Sequence, residues 1–193
     1  MNGPRILAFA GATRTQSWNK KLIRVAVRAA EEAGGEVTLI DLRDYPMPLY
    51  DGDLEQSEGL PHKARELKTL MVANHAFLLS CPEYNSSISG VLKNTIDWIS
   101  RPQPDEPRYV AFKGKVAGLL AASPGNLGGV RALLTVRQVL TTLGVLVLPT
   151  QFALAHAASA FHDDGTLKED GHRAAVAAVV AEVLAVTTRL NVE

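Results

Sequence analysis

Three polar segments of this sequence carry side chains able to hold an anion or grip a flat heteroaromatic ring. The first runs from Gly11 to Asn19 and reads Gly-Ala-Thr-Arg-Thr-Gln-Ser-Trp-Asn. Thr13, Thr15, Ser17 and Asn19 offer neutral donors and Arg14 a charged one. A helix starting here would add amides with no carbonyl to reach. Lys20 and Lys21 follow directly. Two cations in a helix's first turn oppose its dipole by a few tenths to about 1 kcal/mol each, and a bound phosphate would relieve that conflict. The plainer alternative is that Ser17 or Asn19 caps the helix while both lysines face water.

The second segment, Pro82-Glu83-Tyr84-Asn85-Ser86-Ser87, brings together a ring, a carboxylate, an amide and hydroxyls, with Gly90 close behind. A planar heterocycle needs polar contacts along its edge and a flat surface against one face, and this segment can supply both. Its alternative is a turn with an Asx cap before the helical pattern that begins at Val91. The third segment, Ser123 to Gly129, is rich in glycine, serine and asparagine and likewise follows an expected strand.

Other chemistries find little support. A dinucleotide fingerprint needs G-x-G-x-x-G after the first strand, but Gly11 is followed by Ala12 and Thr13. Asp41 imitates the ribose-binding acid of that motif, yet without the glycines it reads as a residue at the solvent edge. Gly114-Lys115 is followed by Val116 and lacks the preceding glycine of a phosphate-binding P-loop, and there is no G-x-S-x-G. The five histidines show no metal-ligand spacing. The single cysteine, Cys81, has no basic neighbour in sequence and reads as a small buried residue rather than a nucleophile. Trp18 lies inside the first segment and counts among its ligand-binding candidates. Trp18 and Trp98 otherwise read as packing or interface residues.

The elements that must position these segments alternate short apolar runs with stretches of helical period, the pattern of a parallel α/β sheet. Strands are expected at about 5–10, 36–41, 75–81, 115–121 and 145–148. Helices are expected from about 19, through 64–71, 91–99 and 132–143, and over 173–190. The stretch 42–60 reads as long and irregular. Five such units predict one doubly wound, five-stranded parallel sheet in three α/β/α layers, spanning residues 1–193. With strand order 2-1-3-4-5, the loops after strands 1, 3 and 4 meet in one crevice at the switch point. Those loops are the three polar segments.

Twenty basic and twenty acidic side chains cancel, and no like-charged run suits a polyanion, so nucleic acid is not the expected partner. The apolar run after Arg5 is too brief for a signal peptide and nothing approaches a membrane span. A cytoplasmic protein acting on small molecules is expected.

The motifs resemble those of the NADPH-dependent FMN reductases, a family that includes chromate and quinone reductases. The family's first loop, approximately G-S-x-R-x-x-S-x-N-x-x-L, is matched from Gly11 to Leu22, with Ala12 in place of the serine. Its P-E-Y-N and G-x-L-K-N-x-I-D-W are matched by Pro82 to Asn85 and Gly90 to Trp98. Its S-P-G-x-x-G-G-x-R is matched by Ser123 to Arg131. The resemblance implies a flavodoxin-like fold holding FMN non-covalently. The phosphate would lie at Arg14, Ser17 and Asn19, the ring edge at Pro82, Glu83, Tyr84 and Asn85, and Ser123 and Gly125 beside the ring. It also implies a homodimer or homotetramer, with 42–60 and 102–108 long enough to cover the site.

NADPH or NADH would deliver hydride through FMN to a quinone, free flavin, azo compound or metal oxyanion such as chromate. Arg14, Arg101 and Arg108 are candidates for a 2′-phosphate. No acid–base pair or nucleophile is then required, because the flavin carries the chemistry. A flavodoxin-like electron carrier or regulatory module is the competing reading. Carriers of that kind tend to be strongly acidic, whereas this chain is neutral.

Overall fold

In the computed structural model, which describes residues 3–190, the expected alternation of strand and helix is present. In chain order the elements are β1 (Arg5–Ala10), α1 (Trp18–Glu32), β2 (Glu36–Asp41), α2 (Gly52–Glu58), α3 (His62–Ala73), β3 (Ala76–Ser80), β4 (Glu83–Tyr84) and β5 (Ser87–Ile88). After these come α4 (Gly90–Ile99), β6 (Val116–Ala122), α5 (Val130–Thr142), β7 (Leu146–Leu154) and α6 (Asp170–Leu190). The main sheet is parallel in the order β2-β1-β3-β6-β7. Counting only its own strands along the chain, this is the expected 2-1-3-4-5.

The middle strands are buried on both faces, as parallel sheets require. Ile6, Ala8 and Ala10 of β1 and Ala76 and Leu78 of β3 pack with α1 and α6 on one side. Leu7, Phe9, Phe77 and Leu79 pack with α3, α4 and α5 on the other. Ala10 and Ser80, the last residues of β1 and β3, lie opposite each other, and Leu120 lies opposite Ser80, with β6 running two residues further to Ala122. The loops that leave β1, β3 and β6 therefore depart from one edge of the sheet.

Three features depart from the sequence reading. The stretch 42–60 is not wholly irregular, since it holds a 3-10 turn at Leu42–Asp44 and the short α2. No residue of α2 is buried, so it left no apolar period to detect. The second polar segment forms a two-stranded hairpin, β4–β5, with Asn85 and Ser86 at φ 51° and 65°. Two positive φ angles in a two-residue loop match the twist of the flanking strands, and asparagine tolerates that region.

β7 also extends well beyond the expected 145–148. Ala117 pairs with Val147 but Leu119 pairs with Gln151, so Leu148, Pro149 and Thr150 form a bulge. Proline is admitted there because β7 is an edge strand. Arg137 of α5 donates to the Val147 and Leu148 carbonyls at 3.0 and 2.7 Å, and Glu182 of α6 accepts from the Thr150 amide at 3.3 Å. Beyond the bulge the strand runs on to receive the third polar segment: the Ser123 amide donates to Leu154 at 3.0 Å and Ala157 donates to Ser123 at 3.0 Å.

Candidate functional site

Arg14, Ser17, Trp18, Asn19, Pro82, Glu83, Tyr84 and Ser123 all line one cleft of about 300 Å³ at the carboxyl edge of the sheet. Asn85 and Gly125 sit on the same loops without forming its wall. Ala122 and Pro124, which sequence reasoning passed over, complete it.

Asn19 is the keystone of the cleft. Its side-chain oxygen accepts from the Ser80 hydroxyl and the Ala122 amide, both at 2.9 Å, and its amide nitrogen donates to the Ala122 carbonyl at 2.9 Å. One buried side chain thus ties the start of α1 to the ends of β3 and β6. That commits Asn19 to holding the loop, and its backbone amide is what remains for a ligand. Ser17 caps α1, its oxygen accepting from the Lys20 amide at a long 3.4 Å, and its hydroxyl hydrogen is left to donate. The amides of Trp18 and Asn19 lie too early in the helix to find a carbonyl within it. Arg14 is exposed and has no hydrogen-bond or ion-pair partner among the described residues.

The lysine argument from sequence is overturned. Lys20 is buried and pairs with Asp41 at 2.5 Å, while also donating to the Thr13 carbonyl at 3.4 Å. Lys21 lies 4.9 Å from the centre of the Trp18 ring, which in turn stacks on Phe161 at 6.1 Å. The Lys20 charge is met by a carboxylate and does not call for a phosphate, and Lys21 rests against rings. Asp41 is no idle edge residue. Burial works to raise its carboxyl, but the Lys20 hydrogen bond and the Arg43 amide outweigh that and hold it below the usual carboxylate range.

Glu83 has a similar structural role. Its side chain is only 8% exposed, it accepts from the Arg131 side chain at 2.7 Å, and it accepts from the Arg131 and Ala132 amides at 3.0 and 3.4 Å. α5 begins at Gly129 with no cap of its own, so Glu83 caps it from another loop. Desolvation opposes ionisation, yet the arginine and the helix amides keep this carboxyl low. Arg131 stood at the end of the third motif, which was the only sequence signal for this contact. Ser89 completes the frame by donating to the Gly11 carbonyl at 2.5 Å while capping α4.

Two readings from sequence stand. Cys81 is fully buried, and burial pushes its thiol up to about 12, which leaves no thiolate for nucleophilic work. Trp98 is a packing residue, buried, donating to the Pro48 carbonyl at 2.8 Å and meeting Tyr50 edge-on. No helix among the described residues is long and apolar enough to cross a membrane.

The cleft fits a mononucleotide. It offers free amides, a hydroxyl and an uncommitted guanidinium at one end, and backbone from two further loops with the Tyr84 ring, 57% exposed, at the other. At Gly125, beside the cleft, a β-carbon would meet nothing nearer than Ser123 Oγ at 3.7 Å. The chain's own packing gives no reason for a glycine at that position. A doubly wound sheet in this order is a flavodoxin-like fold, and such a cleft at its switch point is where that fold holds a ligand.

Comparison with known proteins agrees. The family profile described as NADPH-dependent FMN reductase matches residues 4–159. An NAD(P)H-dependent FMN reductase of Pseudomonas aeruginosa is 35% identical over 170 residues, covering 88% of this chain and 87% of that protein. A quinone reductase of Escherichia coli is 33% identical over 144 residues, covering 75% and 73%. The flavoenzyme NAD(P)H:(acceptor) oxidoreductase FerB of Paracoccus denitrificans superposes with a TM-score of 0.80 at 26% identity, covering 96% of this chain and 98% of that one. The chain belongs to the NADPH-dependent FMN reductase family, and is an oxidoreductase using FMN with NAD(P)H.

Proposed function

We propose that this protein oxidises NAD(P)H and passes the hydride through FMN to a small acceptor, with quinones the first class to test. The observation that carries the proposal is the meeting of three loops around one cleft whose single uncommitted cation is Arg14. Bound FMN would supply both the hydride acceptor and the hydride donor, so the protein need only bind, orient and shield.

In this reading Arg14, the Ser17 hydroxyl and the amides of Trp18 and Asn19 hold the phosphate, in a combination of charge and free helix amides suited to it. The Asn19 side chain and Glu83 act one step back, fixing the loops that touch the cofactor. Backbone from Pro82 to Asn85 meets the ring edge, Ser123 and Gly125 border the ring, and Tyr84 and Trp18 flank it. Dinucleotide and acceptor would use the open side in turn. Free flavins, azo compounds and chromate are further acceptor classes that the same open geometry could admit.

The proposal includes one FMN-binding domain over 1–193, a cytoplasmic setting and a homodimer or homotetramer. Tyr84, Leu127 and Leu134 are exposed apolar side chains on the hairpin, the third loop and α5, which supports a second copy seated beside the cleft. Light scattering of the purified protein reads the assembly directly.

The test of turnover is spectroscopic. Purified protein loaded with FMN should lose its visible flavin band on anaerobic addition of NADPH, and a benzoquinone should restore it and then turn over catalytically. A flavin band unmoved by either NADPH or NADH would refute the proposal.

A further inference from the structure

A second hollow, of about 240 Å³, adjoins the flavin cleft on the far side of the first loop. Thr13 lines it and the next residue, Arg14, lines the cleft, so the first loop contributes to both spaces. Leu42, Tyr45, Met47 and Val91 give it apolar surface, and Arg43 gives it charge. Its outer wall is held in place rather than loose. Asn94 and Trp98 of α4 both donate to the Pro48 carbonyl at 2.8 Å, and the Tyr50 amide donates to Asn94 at 2.8 Å.

Arg43 is itself pre-aimed. Its Nε donates to the Thr13 carbonyl at 3.1 Å, and its two terminal nitrogens have no hydrogen-bond partner among the described residues. Asp41 of the same segment is engaged by Lys20, and neither it nor Asp44 forms an ion pair with Arg43 among the described residues. The arginines that the sequence offered for a 2′-phosphate are otherwise occupied. Arg101 is bound to Glu55 at 2.9 Å and lies over the Tyr50 ring. Arg108 donates to the Tyr109 hydroxyl at 2.7 Å and lies 4.6 Å from that ring's centre. Arg14 faces the flavin cleft.

A largely apolar hollow with a guanidinium in its wall suits a flat ring whose attached sugar carries an anion. The geometry points to this hollow as the seat of the adenosine 2′-phosphate end of NADPH, with Arg43 selecting it over NADH. The inference rests on the reading above that the protein oxidises nicotinamide dinucleotides. The nicotinamide would lie in the neighbouring cleft, and the pyrophosphate would cross the first loop.

Steady-state kinetics of the FMN-loaded wild type, Arg43→Ala and Arg43→Lys test the selectivity. Flavin content is measured on each preparation, because Arg43 also braces the Thr13 carbonyl. Wild type should prefer NADPH. Arg43→Ala should lower its kcat/KM for NADPH by about ten- to a hundredfold, mainly through KM, the loss expected for a hydrogen bond to a charged group. The ratio of NADPH to NADH efficiency should collapse, and Arg43→Lys should recover part of it. Equal losses for both dinucleotides, or a wild type that prefers NADH, would overturn the assignment.

Calorimetry separates this inference from the proposed turnover. Adenosine 2′,5′-bisphosphate should bind FMN-loaded wild type at least about tenfold tighter than AMP, and the difference should vanish in Arg43→Ala. Binding of this probe without any dinucleotide oxidation would sink the proposed turnover and leave the hollow assigned. Oxidation of NADPH with no preference for the bisphosphate would do the reverse.

Discussion

Both carboxylate oxygens of Glu83 are occupied, one by the Arg131 side chain and the other by the first amides of α5. Its folded pKa lies below the ordinary 4.5, so it contributes stability that is present above that value and lost as the pH falls through the folded one. Melting temperature should therefore drop as the pH falls below the ordinary 4.5, and Glu83→Gln should show a shallower drop. Parallel curves for the two proteins would show that Glu83 contributes nothing through its charge. At this scale the sequence was legible in residue types but not in partners. Arg14, Ser17 and Glu83 stood out by type and position. The pairing of Lys20 with Asp41, and of Glu83 with Arg131, joins residues far apart in the chain, and only the folded sheet brings them together. For the same reason Lys20 read as a phosphate signal when its charge was already met by Asp41.

At the scale of elements, the loops are built to stay put while the cofactor comes and goes. Asn19 clamps three polar groups of β3 and β6, and Asn19→Ala would leave the buried Ala122 amide and carbonyl without that partner. A loss of about 3 kcal/mol is expected, which for a chain of this size lowers the melting temperature by roughly 6–12 °C. An unchanged melt would show the clamp to be incidental. Two glycines of the third loop make a sharper contrast. Gly129 has φ +95° and a β-carbon there would lie 2.9 Å from the Ala121 side chain, whereas Gly125 has open space. Gly129→Ala should cost more than about 1 kcal/mol. Gly125→Ala should leave apoprotein stability within about 0.5 kcal/mol and weaken FMN binding instead, as paired thermal melts and flavin titrations would read. Equal effects on stability would contradict the distinction.

The long helices and four of the five main strands were legible because their apolar periods are set by burial on a face of the sheet. The rest was hidden for definite reasons. α2 buries nothing, the bulge of β7 depends on Arg137 and Glu182 reaching it from two helices, and the hairpin turn at Asn85–Ser86 carries no glycine to announce it.

For the whole molecule, strand order matters more than any single side chain. Ends of β1, β3 and β6 that fall within two residues of one another bring three polar loops to one edge, and the first residues of α1 line the space between them. That convergence was legible from the alternation of elements and the placement of polar segments after strands. The neighbouring hollow was not, because its walls come from β1's loop, the segment after β2 and α4 together. The assignment of the first loop to a phosphate is tested most directly by titrating the apoprotein with FMN and with riboflavin, which differ only in that group. FMN should bind at least about a hundredfold tighter, and Arg14→Ala should remove most of the difference. Equal affinities in the wild type, or a difference that survives the loss of Arg14 undiminished, would contradict it.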